Sequence, residues 1–269
     1  MSPQVAAVFD LDGTLMPLPS LERRFLRMLR QQKEIALKNY FSWFEEAWRL
    51  LPRGILALTH ANKMYLCDVP SFDQRGPENR VDSPRRIPRL SVPRFFKEGV
   101  ERAECHAMLG HAIVIVSGTL EPLANGAASA LETELAARGF ATRIRVCATR
   151  LEELNGRWTG RILEEAMFGE EKARAVRKVA EEMDLDLSQS WAYGDRSADR
   201  WMLQAVGHPT AVNPSLLLRR IARERDWAVL RWSEERNLTE RQDEYREEET
   251  KCVEQSENEF VVKQPEPRA

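Results

Sequence analysis

Two aspartates stand two residues apart in the run Phe9-Asp10-Leu11-Asp12-Gly13-Thr14-Leu15, directly after an apolar stretch, residues 5–8. Gly13 predicts a turn that projects both carboxylates into solvent at the carboxyl end of a strand. Carboxylates there can hold a hard cation through oxygen. One can attack phosphorus, and the other can carry a proton to or from a bridging oxygen. A second pair of acids, Asp195 and Asp199, follows the apolar residues 191–193 and Gly194. Asp195 can complete a magnesium site with Asp10, and Asp199 can orient metal-bound water or a lysine. Ser117-Gly118-Thr119 closes another apolar run, residues 112–116. Ser117 and nearby backbone N–H groups can seat a phosphate at the positive end of a following helix. Lys172 falls early in a helical stretch behind Phe168-Gly169-Glu170-Glu171. A cation at a helix N-terminus is out of place unless an anion lies beside it. Each motif alone also reads as a turn, a helix cap or a solvated helix face. Together they supply what phosphoryl transfer requires: a nucleophile, a proton carrier and positive charge around a phosphate.

The elements that must position them follow from hydropathy patterning. Residues 5–9, 112–116, 191–193 and 210–212 are apolar at successive positions, as in parallel strands covered on both faces. Residues 143–147 alternate arginine with apolar side chains and suit a sheet edge. Helical spacing over residues 94–109, 122–138, 170–183 and 215–225 separates these strands. Such alternation predicts an α/β fold with a doubly wound, mainly parallel, Rossmann-like sheet, whose site lies at the carboxyl ends of the strands. Residues 1–16 and 93–232 are the expected core. Residues 17–72 break the alternation and predict a helical insertion. In it, residues 21–51 read as one long helix carrying Phe25, Tyr40, Phe41, Trp43, Phe44 and Trp48, and residues 54–66 as a second. The aromatics suit the core of a small bundle, or an apolar leaving-group pocket.

Two segments predict no regular structure. Residues 73–94 hold four prolines and six arginines against three acids, a net +3, and read as a long loop over 73–92. Residues 233–269 carry twelve acidic residues against six basic ones and read as an acidic tail too polar to fold alone.

Composition narrows the function classes. The 269 residues are 43% hydrophobic and 30% charged with a net charge of −2, which gives no basis for a nucleic-acid partner. Cys67, Cys105, Cys147 and Cys252 are scattered without a CxxC pair, so neither a disulfide framework nor a structural zinc site is expected. The opening MSPQVAAVFD lacks the pattern of a secretory signal. No apolar run approaches the roughly 18 residues of a membrane span, so an integral membrane segment is not expected. The expectation is a cytoplasmic protein, a monomer or homodimer.

Taken in order, D-x-D-G-T, S-G-T, a lysine and G-D-x-x-x-D resemble the haloacid dehalogenase superfamily, and more narrowly its phosphoserine-phosphatase-like branch. The resemblance runs from Val5 to about Trp232, apart from the Pro/Arg loop. Asn155-Gly156-Arg157-Trp158-Thr159-Gly160-Arg161, Gly169-Glu170-Glu171-Lys172 and Ala211-Val212-Asn213-Pro214 also fit that branch. The resemblance implies the fold of that superfamily with a cap over the site, a Mg²⁺ cofactor, and hydrolysis of a small phosphorylated metabolite. Asp10 would be the nucleophile. Asp12 would be the general acid and then the base, lending its backbone carbonyl to the metal. Thr14 would support the turn beside the phosphate. Ser117 and Gly118 would bind phosphate, Lys172 would balance charge, Asp195 would bind the metal, and Asp199 would support it.

Three departures bear on substrate. Phosphoserine phosphatases carry a glutamate soon after the first motif; the matching position here is Pro19, with Glu22 three residues further on. Arg196 and Ala198 also depart from the last motif as the family usually has it. They set phosphoserine itself apart from the wider class of phosphate monoesters, a lipid-like phosphate included. A dehalogenase has no use for Asp12. A phosphotransferase would differ only in the acceptor that replaces water. A non-catalytic binding module would be expected to have lost Asp10, Asp12 or Asp195.

Overall fold

The computed structural model describes residues 4–51, 62–72 and 94–233. Residues 73–92 and nearly all of 233–269, read above as loop and tail, lie outside the described residues.

Six strands form one parallel sheet: β1 (Ala6–Phe9), β2 (Ala112–Leu120), β3 (Arg145–Thr149), β6 (Trp191–Gly194), β7 (His208–Val212) and β8 (Ala228–Leu230), in the order β3-β2-β1-β6-β7-β8. β1 is central, with Val8 opposite Val114 on one side and Ala192 on the other. Its side chains alternate between two cores. Ala7 and Phe9 face one containing Ile113, Ile115, Val100 and Leu131; Ala6 and Val8 face the other, with Val114, Val176, Met202 and Leu218. Burial on both faces is why these strands read as unbroken apolar runs. The arginine-alternating strand β3 is an edge, as its pattern predicts.

Helices α3 (Lys97–Met108) and α4 (Glu121–Ala137) supply the first core, and α5 (Glu170–Met183), α6 (Arg200–Gln204) and α7 (Leu216–Glu224) the second. Chain order reverses direction across the sheet between β1 and β6, so their carboxyl ends open a crevice where such sheets bind ligands.

Residues 17–72 are inserted between β1 and α3. The single long helix expected over 21–51 is two helices, α1 (Leu21–Gln31) and α2 (Leu37–Leu50). Lys33 takes a φ of 58° and turns the chain between them, at a place with neither Gly nor Pro to mark it. The second expected helix, over 54–66, falls largely outside the described residues; its described end is a short 3-10 turn, Met64–Leu66. Buried Asn39 on α2 donates from its amide to the carbonyls of Tyr65 (3.1 Å) and Cys67 (2.7 Å) and ties the insert together.

Asn155-Gly156, both at positive φ, close an antiparallel hairpin of β4 (Leu151–Leu154) and β5 (Arg157–Ile162). The hairpin holds the insert: Asp68 N–H donates to the Trp158 carbonyl (2.8 Å), Trp158 N–H to that of Val69 (2.9 Å), and Trp158 packs edge-on to Phe25 and Phe72. No helix among the described residues is long and apolar enough to cross a membrane.

Candidate active site

The loop after β1 is wound tightly. Gly13 N–H donates to the Met16 carbonyl (2.7 Å) and Met16 N–H to that of Leu11 (2.9 Å). Gly13 sits at φ 96°, and a Cβ there would collide with the Asp195 carboxylate. Glycine is therefore required twice over, for the backbone and for the approach of β6. The turn does not project Asp10 into solvent as expected; Asp12 is half-buried. Asp10 is only 5% exposed, pinned by its N–H on the Tyr193 carbonyl (2.9 Å).

Asp10, Asp195 and Asp199 each place a carboxylate oxygen within 4.8 Å of the others, all buried. Lys172 lies among them, with Nζ 2.6 Å from Asp10 Oδ1 and 2.6 Å from Asp199 Oδ1. The lysine at the start of α5 thus has the anions that its position demanded. Burial works against its charge, but Asp10 and Asp199 outweigh that and raise its pKa above the ordinary range. Burial raises Asp10 despite Lys172. Burial, then the charges of Asp10 and Asp199, push Asp195 up to about 8. Three carboxylates meet one buried ammonium; the half-exposed Arg196 guanidinium reaches Asp195 Oδ2 at 3.5 Å, and buried Asp195 Oδ1 has no hydrogen-bond partner among the described groups. An all-oxygen donor set with a spare buried lone pair fits a hard divalent cation. The Asp195 carbonyl accepts the Ser215 N–H (2.8 Å), and Asp199 Oδ2 accepts the Arg196 N–H (2.9 Å), so the backbone fixes both acids.

Asp12 stands apart from this cluster. Its Oδ1 accepts the N–H of Leu21 (2.8 Å), the first residue of α1. Burial pushes its pKa up to about 7, against that hydrogen bond. Two acids two residues apart therefore sit in different electrostatic settings. Thr14 is fully buried under the loop, its hydroxyl 3.5 Å from Asp10 Oδ2; it supports Asp10 and is not part of the cavity wall.

Ser117 differs from expectation in one respect. β2 continues to Leu120, so Ser117 lies in the strand and not at a helix start. The pairing with β3 is irregular between Ser117 and Leu120, and Thr149 Oγ1 donates to the Gly118 carbonyl (2.9 Å). A strand irregularity shapes this stretch, directly ahead of α4, which begins at Glu121.

A cavity of about 940 Å³ joins these groups to the helical insert. Asp10, Asp12, Ser117, Gly118, Lys172, Asp195 and Asp199 all line it. So do residues that the sequence did not single out for the site, among them Arg23, Lys63, Tyr65, Thr119 and Phe168. Glu22 lines it too, and accepts from the Lys63 ammonium and the Tyr65 hydroxyl. Burial and the Glu22 charge raise the Tyr65 pKa well above its usual value. Glu22 was visible only as an acid near the first motif. Lys63 and Tyr65 lie 41 and 43 residues away from it, with no local signal.

Residues 7–204 match the sequence profile of a family described as haloacid dehalogenase-like hydrolase. The inhibition of morphological differentiation protein of Streptomyces azureus is 33% identical over 244 residues, 85% of this chain and 78% of that one. A probable phosphatase of Mycobacterium tuberculosis is 34% identical over 152 residues, covering 56% of this chain; the match spans about half of that relative, 49% of its length. The crystal structure of a protein of unknown function from Bordetella pertussis Tohama I shares the fold at a TM-score of 0.57 and 24% identity, over 85% of this chain and 99% of that one.

Proposed function

Because the chain belongs to the haloacid dehalogenase-like hydrolase family, we propose that it is a Mg²⁺-dependent phosphatase that hydrolyses a small phosphate monoester through an aspartyl-phosphate on Asp10. The observation that carries this reading is the division of labour among its acids. Asp10 is held by Lys172 inside the carboxylate cluster, and Asp12, outside it, is pushed up to about 7 by burial.

In the first half-reaction an Asp10 oxygen attacks phosphorus, the bond from phosphorus to the ester oxygen breaks, and the Asp12 proton passes to the leaving oxygen. In the second, Asp12 takes a proton from water, the water oxygen attacks phosphorus, and the bond to Asp10 breaks to release phosphate. Asp10 repels a phosphate dianion, and Lys172 offsets that repulsion, with Asp199 holding its ammonium in place. Asp10, Asp195 and the Asp12 backbone carbonyl are the groups that would hold Mg²⁺, which when bound neutralises charge on the phosphate oxygens. Ser117 and Gly118 bind the remaining phosphate oxygens. Residues 17–72 act as the cap, facing the leaving group with Glu22, Lys63 and Tyr65. Asp12 argues against dehalogenation, which needs no proton donor at that place.

The test is hydrolysis of p-nitrophenyl phosphate with Mg²⁺ and with EDTA. Activity that depends on Mg²⁺ and disappears in Asp10→Asn, with circular dichroism unchanged, is the expected result. Hydrolysis persisting in that variant would refute the mechanism.

A further inference from the structure

Helix α2 buries one side and exposes another that is apolar. Asn39, Ala47 and Leu50 point inward. Leu37, Phe41, Phe44 and Trp48 recur at helical spacing on the opposite side, exposed by 78%, 76%, 66% and 73%, and Leu51 continues the line. Single exposed apolar residues are ordinary, but four aligned large ones on one helix face are not. The aromatics read from sequence as bundle core or substrate pocket therefore divide: Phe25 is core, Tyr40 and Trp43 line the cavity, and Phe41, Phe44 and Trp48 do neither.

The neighbouring helix supplies charge. Arg23, Arg27 and Arg30 share the outer side of α1, and Lys33 follows in the turn; all four are exposed. None of them has an ion pair among the described residues. The Arg30 guanidinium lies over the Tyr40 ring at 5.7 Å, which sets the arginine row against α2. Arg23, Arg30, Tyr40 and Trp43 also border the cavity, and Arg30 over Tyr40 brings the basic row up to the helix that carries the stripe.

We propose that this side of the insert docks on an anionic lipid surface, with the Leu37–Phe41–Phe44–Trp48 stripe in the boundary between headgroups and acyl chains and the arginine row on lipid phosphates. An amphipathic helix of this kind lies in the interface plane without spanning the bilayer. Tryptophan and phenylalanine suit that depth, and clustered arginines add attraction to anionic headgroups. Charge decides the occupant. A second copy brings the same arginine row, without ion pairs among the described residues, and an antiparallel two-fold pairing through α2 would set the two rows side by side. An anionic bilayer satisfies both the row and the stripe.

The test is co-sedimentation of the full chain with vesicles of phosphatidylcholine alone or mixed with phosphatidylglycerol, at low and at physiological salt. The expected result is pelleting with the anionic vesicles that weakens with salt. It falls by about tenfold or more in Phe41→Ser/Phe44→Ser/Trp48→Ser and, separately, in Arg27→Glu. These residues lie outside the cavity lining, so p-nitrophenyl phosphate hydrolysis and circular dichroism of both variants stay at the parent level. Pelleting with neither vesicle, or pelleting unchanged in the variants, overturns the proposal. So does a dimer in sedimentation velocity that the triple variant abolishes while vesicles are ignored. Any of these leaves the phosphatase reading intact, because hydrolysis of a soluble ester needs no lipid surface.

Discussion

At the scale of single residues, the two halves of the proposed reaction separate at Asp12. p-Nitrophenolate leaves without a proton, whereas an alkoxide needs one. Asp12→Asn should therefore still transfer phosphate from p-nitrophenyl phosphate to Asp10 but stall at the water step, giving a burst of about one equivalent of p-nitrophenol before slow turnover. The same variant on an alkyl phosphate should show no burst in rapid-quench measurements. The pH profile carries the same signature. Asp12 is pushed up to about 7, and the acid form is the one that protonates the leaving group. Single-turnover phosphorylation by an alkyl phosphate should fall as pH rises through about 7, and phosphorylation by p-nitrophenyl phosphate should not. Residue type and spacing show Asp10 and Asp12 only as two acids on one turn, and it was the resemblance that gave them different roles. What distinguishes them, the N–H of Leu21 on one and the Lys172 ammonium on the other, comes from residues 9 and 162 positions away.

At the scale of elements, legibility followed burial and local chemistry. Helix α5 was readable to its end residues because its buried Lys172, Ala173, Val176, Val179 and Ala180 keep helical spacing. The site acids were readable because each follows an apolar strand buried on both faces. The break between α1 and α2 was not, because it rests on Lys33 adopting a left-handed conformation in a run of good helix formers. Strand β8, Ala228–Leu230, is apolar but only three residues long, too short to stand out as a strand, and the hairpin strands are largely polar, although Asn155-Gly156 marks their turn. Helix α7 offers a clean test of how an element serves the site. The Ser215 side chain caps it through the Leu218 N–H (3.4 Å), and the Ser215 backbone N–H holds the Asp195 carbonyl (2.8 Å). Ser215→Ala removes the cap and keeps the backbone bond. It should cost about 1 kcal/mol in denaturant unfolding while leaving KM for p-nitrophenyl phosphate unchanged.

At the scale of the whole molecule, the site is a place where the fold stores unfavourable charge. Asp195 meets Asp10 and Asp199 at the crevice between β1 and β6, and burial with those neighbours pushes it up to about 8. An acid whose pKa is raised by folding costs no stability while it is protonated in both states. Its cost grows as pH rises from about 4, where the unfolded chain ionises, towards 8, where the folded one does. Asp195→Asn removes that cost. In EDTA the variant should therefore melt above the parent, by a margin that widens from pH 5 to pH 8. Magnesium should reverse the order. A ligand that binds only the folded state at a hundred times its Kd adds about 2.7 kcal/mol, and in a chain of this size each kcal/mol moves Tm by about 2–4 °C. The parent should then gain roughly 5–10 °C on addition of Mg²⁺ at pH 8, and Asp195→Asn little, in scanning calorimetry. If the parent gains nothing from Mg²⁺, the acids are balanced without a cation, and the assignment of Asp10 and Asp195 as its ligands fails.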